Sequence, residues 1–347
     1  MKDLIRKSVQ ELHGYVPGEQ MADDGIIKLN TNENPYPPAP GVESALRGID
    51  VDSLRRYPNP VSAALLERIA EMHGYAASQV FVGNGSDEVL ALCTRAFVED
   101  GGTIGYFDPS YSLYPVLADI RDVDRKPVPL GDDFGWAMPE CYGADLFFLT
   151  SPNAPTGMLY PKSVIRDFCR GFEGVVVIDE AYVDFASENC MELAGEFDNV
   201  LIARSLSKSY SLAGLRVGYA VGPEPLVEAL VKLKDSYNLD AVSQALALAA
   251  LQDVDYMKAN VARIRGTRDR LSVALEEKGY TVYPSETNFV WVRPRGIEAR
   301  ELFAELKARR ILVRHFEGDR TGEFIRITVG SDAEIDKLLE CITMVCK

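Results

Sequence analysis

The stretch "NVLIARSLSKSYSLAGLRVGY", residues 199–219, decides the fold. It opens on an apolar run, Val200 to Ala203, closes on another that begins at Val217, and carries a serine-rich loop between them. Short apolar runs with polar ends are the pattern of strands covered on both faces, which puts the loop at a strand end. A single lysine, Lys208, stands there among hydroxyls and small apolar residues, with Arg216 eight positions on. An arbitrary lysine is a surface lysine. The hydroxyls of Ser205 and Ser207 and the flanking strands make this one a candidate for chemistry.

The same texture extends outward. "QVFVGNGSDEVLALCTRAF" (79–97) reads as strand, glycine turn and helix, with Ser86 and Asp87 in N-terminal capping positions. "TIGYFDPSY" (103–111) is a strand ending at Asp108, and "ADLFFLTSPNAPTG" (144–157) is another ending near Thr150. "PKSVIRDFCRGF" (161–172) is a helix opened by a proline, and "GVVVIDEAY" (174–182) is a further buried strand. Strand and helix in alternation predict an α/β fold, a mainly parallel sheet with helices on both faces.

Past residue 225 the pattern changes to long helices, through "PLVEALVKLKDSY" (225–237) and a continuous helical stretch over 240–279. Strands at "NFVWVRP", "ILVRHF" and "EFIRITVG" then alternate with helices at 298–310 and 332–345. The expected organisation is a large domain over 36–250 and a smaller α+β domain built from 1–35 and 251–347. The first fifteen residues, "MKDLIRKSVQELHGY", read as an amphipathic helix that lacks the apolar core of a secretory signal.

Composition bounds the function. The chain has 347 residues, 47% hydrophobic and 26% charged, enough to bury a large core. A net charge of −15 with no basic run argues against a nucleic-acid partner. No stretch nears the length of a membrane span, so a cytoplasmic location is expected. Six cysteines without C-x-x-C spacing (Cys93, Cys141, Cys169, Cys190, Cys341, Cys346) and only three histidines speak against a zinc site. They read as reduced, mostly buried thiols.

Ligands of a parallel α/β sheet collect at the carboxyl ends of its strands. Gly85, Ser86 and Asp87 follow one strand, Tyr111 another, Asn153 a third, Asp179 and Tyr182 a fourth, and Ser205 to Lys208 a fifth. Each has a bland reading: a glycine turn, a rim aromatic, a proline-flanked turn, a helix cap, or a surface ion pair for Arg216. Five strand ends together, however, supply a kit for pyridoxal phosphate (PLP). A lysine in an apolar crevice near another cation loses proton affinity and can form a Schiff base with an aldehyde, which suits Lys208. Asp179 is the candidate to keep the pyridine nitrogen protonated. Tyr182 and Asn153 could donate to the phenolate oxygen of the ring. Gly85, Ser86, Asp87, Ser205, Ser207 and Arg216 offer a helix N-terminus, hydroxyls and a guanidinium to the phosphate.

In order and spacing, "SPNAPTG", "VIDEAYVDF" and "SLSKSYSLAGLRVGY" resemble the fold-type I PLP-dependent aminotransferases. A finer likeness to the branch acting on histidinol phosphate runs over nearly the whole chain. It includes "HGYVPGE", "LNTNENPYPP", "RYPNP", "GNGSDE", "YNLDAVSQALALAAL", "TNFVWV" and "IRITVG". The resemblance implies that Tyr111 stacks on the cofactor ring. It also implies a homodimer in which Tyr57 reaches the neighbouring subunit's cofactor phosphate. Arg326 would take the carboxylate of an amino acid or the phosphate of histidinol phosphate, helped by Arg314 and Tyr15, with Asn34 and Asn238 nearby. The implied reaction is amino transfer from L-histidinol phosphate to 2-oxoglutarate, giving imidazole-acetol phosphate and glutamate. Ala154 departs from the usual "SPNNPTG" form, which bears on the geometry of that loop.

Two activities share the scaffold, aromatic amino acid transamination and decarboxylation of threonine phosphate, and the pocket arginines suit all three. A PLP-sensing DNA-binding regulator would need a helix-turn-helix ahead of the sheet, where only a few dozen residues stand in an acidic chain. A dehydrogenase reading fails because "GNGS" lacks the G-x-G-x-x-G spacing.

Overall fold

The computed structural model describes residues 4–20 and 25–345. Seven strands form the main sheet: β1 (Val80–Gly83), β2 (Thr103–Asp108), β3 (Asp124–Pro129), β4 (Leu146–Thr150), β5 (Val175–Asp179), β6 (Val200–Ser205) and β7 (Gly218–Val221). Their order across the sheet is β1-β7-β6-β5-β4-β2-β3. The strands β3, β2, β4, β5 and β6 run parallel, while β7 is antiparallel to both β6 and β1. The sheet is therefore mainly parallel with one antiparallel strand, β7, next to the β1 edge. Helices α1 (Ser86–Phe97) and α2 (Leu113–Arg121) are crossovers between its strands.

Alternation along each strand sorts its side chains between two cores. Phe147, Leu149, Val176, Ile178, Val200 and Ile202 pack into one cluster. Their neighbours Leu146, Phe148, Val177, Leu201 and Ala203 pack into the other, together with Tyr114 of α2. Each fully buried side chain of this size contributes about 1.5–3 kcal/mol. Carried one step further along each strand, the same period sends Thr150, Asp179 and Ser205 to the Tyr114 side. In register, Thr150 lies beside Asp179 and Asp179 beside Ala203. The polar groups thus converge because the buried runs of β4, β5 and β6 end level with one another.

The second sheet is antiparallel, with β8 (Thr281–Val282), β9 (Phe289–Arg293), β10 (Arg314–His315) and β11 (Ile325–Thr328) in the order β10-β11-β9-β8. A third apolar cluster, around Val290, Leu302, Ile325 and Leu338, lies against it. The segment read as one strand, "ILVRHF", divides in two. Ile311–Leu312 pairs with Ile27–Lys28, and Arg314–His315 pairs with β11.

The helical stretch expected over 240–279 is two helices, Ala241–Gln252 and α3 (Val254–Glu277). Asp253 caps the second by accepting from the Tyr256 amide. Met257, Val261 and Ile264 of α3 enter the first core, whereas Leu271 and Leu275 enter the third. One helix therefore contributes side chains to both cores.

One expectation changes, and the expectation of mostly buried thiols holds. The N-terminal helix shortens to Lys7–Gln10, because none of its residues is buried and four residues cannot hold a helix without packing. Cys93, Cys169 and Cys190 are buried free thiols, but Cys141 is exposed; Cys346 lies outside the described residues. No helix among the described residues is long and apolar enough to cross a membrane.

Candidate active site

A cavity of about 220 Å³ opens at the carboxyl ends of β4, β5 and β6. Lys208, Asp179, Tyr182, Ser205 and Ser207 line its sheet side, with Ser86, Asp87 and Arg216 at one end. Tyr15, Arg314 and Arg326 close it from the opposite side, and Tyr111 flanks it.

Lys208 reaches in from the turn after β6. Its Nζ donates to the Thr31 carbonyl at 3.1 Å and lies 5.8 Å from the centre of the Tyr182 ring. Burial, reinforced by the Arg326 and Arg216 guanidiniums, pushes its pKa down to about 8, against the pull of Glu33 and Asp87. A useful fraction of the amine is therefore neutral at physiological pH. Asp179 is buried at the end of β5, its Oδ1 accepting from the Ala181 amide at 3.1 Å and its Oδ2 hydrogen-bonded to the Tyr114 hydroxyl at 2.8 Å. Burial pushes its pKa up to about 6, against the two hydrogen bonds.

The Tyr182 hydroxyl accepts from Asn32 Nδ2 at 2.9 Å, and burial raises its pKa. Tyr111 sits edge-on to both Tyr15 and Tyr114 and donates to Asp87 Oδ1. Across the cavity Arg326 donates from one terminal nitrogen to the Asn30 carbonyl, while its buried Nε has no partner. Arg314 donates to the carbonyls of Val16 and Pro17, which ties the N-terminal segment carrying Tyr15 to the rim.

Arg216, held at φ +53°, donates to Ser207 Oγ and pairs with Asp87 at 3.2 Å. Beneath it Gly85 has φ +83°, and a Cβ there would come within 2.6 Å of the guanidinium. Only glycine allows both the left-handed turn and the close approach at the start of α1.

Five expected residues lie outside the cavity lining: Gly85, which sits beneath Arg216, and four others. Asn153 is fully buried, and both protons of its amide nitrogen are committed, to the Pro109 carbonyl at 3.1 Å and to Thr156 Oγ1 at 2.9 Å. It has no proton left for a ring oxygen; its neighbour Ala154 faces the cavity instead. Asn34 donates to the carbonyls of Lys208 and Ser209, bracing the lysine loop, and its Oδ1 accepts from the Tyr36 amide. Asn238 likewise spends its amide on Val82 and Glu88. Tyr57 is 80% exposed and stacks on Tyr237 at 4.4 Å.

Residue-by-residue reading missed Tyr114 and Thr150, which support Asp179, and the buried Arg204–Glu180 ion pair beside it at 2.7 Å. The available signals were a second tyrosine three residues after Tyr111 and a charged pair at the ends of two apolar strands.

Comparison with known proteins gives the family. Residues 24–342 match the family described as aminotransferase class I and II, and the chain belongs to that family. Its relatives include histidinol-phosphate aminotransferases over essentially their full length. The one from Chromohalobacter salexigens is 45% identical, with all of both chains covered. The one from Crocosphaera subtropica is 42% identical, with 97% of each covered. Among solved structures, the histidinol-phosphate aminotransferase of Sinorhizobium meliloti in complex with pyridoxal-5'-phosphate superposes with a TM-score of 0.87. It is 25% identical, and 99% of each chain is covered.

Proposed function

We propose that the chain is a PLP-dependent aminotransferase that moves the amino group of L-histidinol phosphate to 2-oxoglutarate, as the names of its full-length relatives suggest. The observation that carries the chemistry is one cavity holding an amine of lowered proton affinity, Lys208, and a buried carboxyl, Asp179, on adjacent strand ends. The residues fit PLP. The Gly85 turn, Ser205, Ser207 and Arg216 form an anion seat, Asp179 suits a ring nitrogen, and the unpartnered Nε of Arg326 suits an anionic substrate group.

When bound, PLP supplies an aldehyde carbon for the amine and a protonated ring that takes up the electron pair left at the substrate α carbon. Lys208 Nζ is the group that would hold that aldehyde carbon, and its neutral amine would serve as the base for the proton on the substrate α carbon. The Asp179 carboxylate keeps the ring nitrogen protonated. With Asn153 and Ala154 unable to donate, the Tyr182 hydroxyl is the side-chain donor to the phenolate oxygen. Arg326 and Arg314 hold the substrate anion and exclude water from its end of the cavity.

The test is a donor panel read by visible absorbance and by glutamate formed from 2-oxoglutarate. L-histidinol phosphate should bleach a yellow protein and yield glutamate, and phenylalanine should not. Carbon dioxide released from threonine phosphate would instead mark a decarboxylase. Lys208→Ala should lose turnover by at least about 10⁴-fold together with the absorbance; an active variant sinks the assignment.

A homodimer belongs to the same proposal. The exposed, stacked Tyr57 and Tyr237 lie near an apolar groove lined by the exposed Val61 and Val231, a face suited to a second copy. Sedimentation equilibrium should give twice the chain mass.

A further inference from the structure

Behind Asp179 runs an unbroken line of hydroxyls. Asp179 Oδ2 lies 2.8 Å from Tyr114 Oη, Tyr114 Oη lies 2.5 Å from Thr150 Oγ1, Thr150 Oγ1 lies 3.1 Å from Ser110 Oγ, and Ser110 Oγ lies 2.9 Å from Asn153 Oδ1. These are four contacts between oxygens, each needing one proton, and three hydroxyls supply three.

The far end cannot supply the fourth. Turning the Asn153 amide over would aim its nitrogen at Ser110, but would set its oxygen against the Pro109 carbonyl, now a 3.1 Å partner of the nitrogen. Two acceptors at that distance repel, so the carbonyl fixes the amide with its oxygen toward Ser110. The line therefore has an acceptor at its asparagine end, and the missing proton has to come from the other end.

We infer that Tyr114, Thr150 and Ser110 are positioning residues that hold a proton on Asp179 in the cofactor-free protein and release it to the ring nitrogen when the cofactor enters. All four contacts are then filled in one direction: Asp179 donates to Tyr114, the reverse of the bond in which an ionised Asp179 accepts from that hydroxyl, Tyr114 donates to Thr150, Thr150 to Ser110 and Ser110 to Asn153. The inference rests on the PLP reading above.

The handover balances. The carboxyl O–H bond breaks, its electron pair stays on the carboxylate, and the lone pair of the ring nitrogen takes the proton, with no other reactant. Tyr114 then turns to donate to Asp179 and Thr150 to Tyr114. The longest contact, Thr150 to Ser110, gives up its proton. The charges around Asp179 act in the same sense. Asp87 on α1 and the adjacent Glu180, itself paired with Arg204, both disfavour its ionised form. The nearby phenols Tyr111, Tyr114 and Tyr182 all have raised pKa values and stay neutral, and Lys208, Arg216, Arg314 and Arg326 are the cations that line the cavity.

The test is infrared titration of the full chain stripped of cofactor, following the un-ionised carboxyl band that Asp179→Asn removes. The band should titrate near pH 6 or above. Ser110→Ala leaves two hydroxyl protons for two contacts, so it should lower that midpoint by about one pH unit although Ser110 does not touch Asp179. Ser110→Thr should restore it. A wild-type midpoint near 4, or a midpoint that Ser110→Ala leaves in place, overturns the inference. Adding PLP should abolish the band as the yellow colour appears; colour with the band intact overturns the handover. Absence of colour sinks the cofactor assignment and the handover with it, while the cofactor-free titration still decides the proton count.

Discussion

The two walls of the cavity are built differently. On the sheet wall, Asp179, Tyr114, Thr150, Ser110 and Asn153 form one connected hydrogen-bond network. Every buried side-chain polar atom without a protein partner, among the described residues, lies in the opposite part of the molecule. These are Asn30 Oδ1, Thr31 Oγ1, Glu286 Oε2, Asn288 Oδ1, Trp291 Nε1 and Arg326 Nε. A buried polar atom left unpaired costs about 1–3 kcal/mol. The sheet wall is finished before any ligand arrives, whereas the arginine wall keeps bonding capacity in reserve, and Asn30, Thr31 and Arg326 are the residues among these that line the cavity. A cofactor that stays needs a rigid seat; a substrate that comes and goes needs groups that gain from each visit.

Substitutions can break or sharpen that contrast. The largest effect is expected on the finished wall. Asp179→Ala should lower kcat by at least about 10³-fold and weaken cofactor retention, measured by steady-state rates and dialysis. Next comes the pH response of the support behind it, where His73 Nε2 meets the Tyr219 hydroxyl at 2.9 Å. Burial, and then Arg204, push the His73 pKa down to about 4 from an ordinary 6.5. The unfolded chain binds that proton first as pH falls. Stability should thus be full above 6.5 and drop by up to about 3 kcal/mol on approaching pH 4. Urea midpoints of the wild type and His73→Gln at both ends of that window measure it; equal slopes would remove His73 from the account.

On the reserve wall, Arg326→Lys keeps the charge but loses the planar fork. It should cost about 100-fold in kcat/KM, mostly through KM, with the visible spectrum unchanged. The smallest effect should be Trp291→Phe, which deletes a donor that has no partner and leaves a small cavity; the unfolding free energy from urea titration should fall by no more than about 1–2 kcal/mol. If it instead destabilises as much as Tyr114→Phe, the two walls do not differ in the way described.

The legibility of the site follows the same division. Lys208, Asp179, Tyr182 and Arg216 could be read in the sequence because each stands as an odd polar residue after an apolar run, and strand ends of a parallel sheet meet. The three asparagines show what the sequence leaves open. An amide has few bonds to give, and whether Asn153, Asn34 and Asn238 spend them on a ligand or on a carbonyl depends on chain segments far away in sequence. Tyr114 was passed over because a buried tyrosine on a helix looks like core until its hydroxyl is seen against Asp179.

Sequence alone determined the periodicities: which segments are strands buried on both faces, that they run mostly parallel, and that a lysine and an acid cap two of them. Those follow from local sterics and the burial of apolar surface, which act along the chain. Only the tertiary structure decided which polar atoms are already satisfied. A hydrogen bond is a relation between two groups, and partners such as Asn32 and Tyr182 lie 150 residues apart.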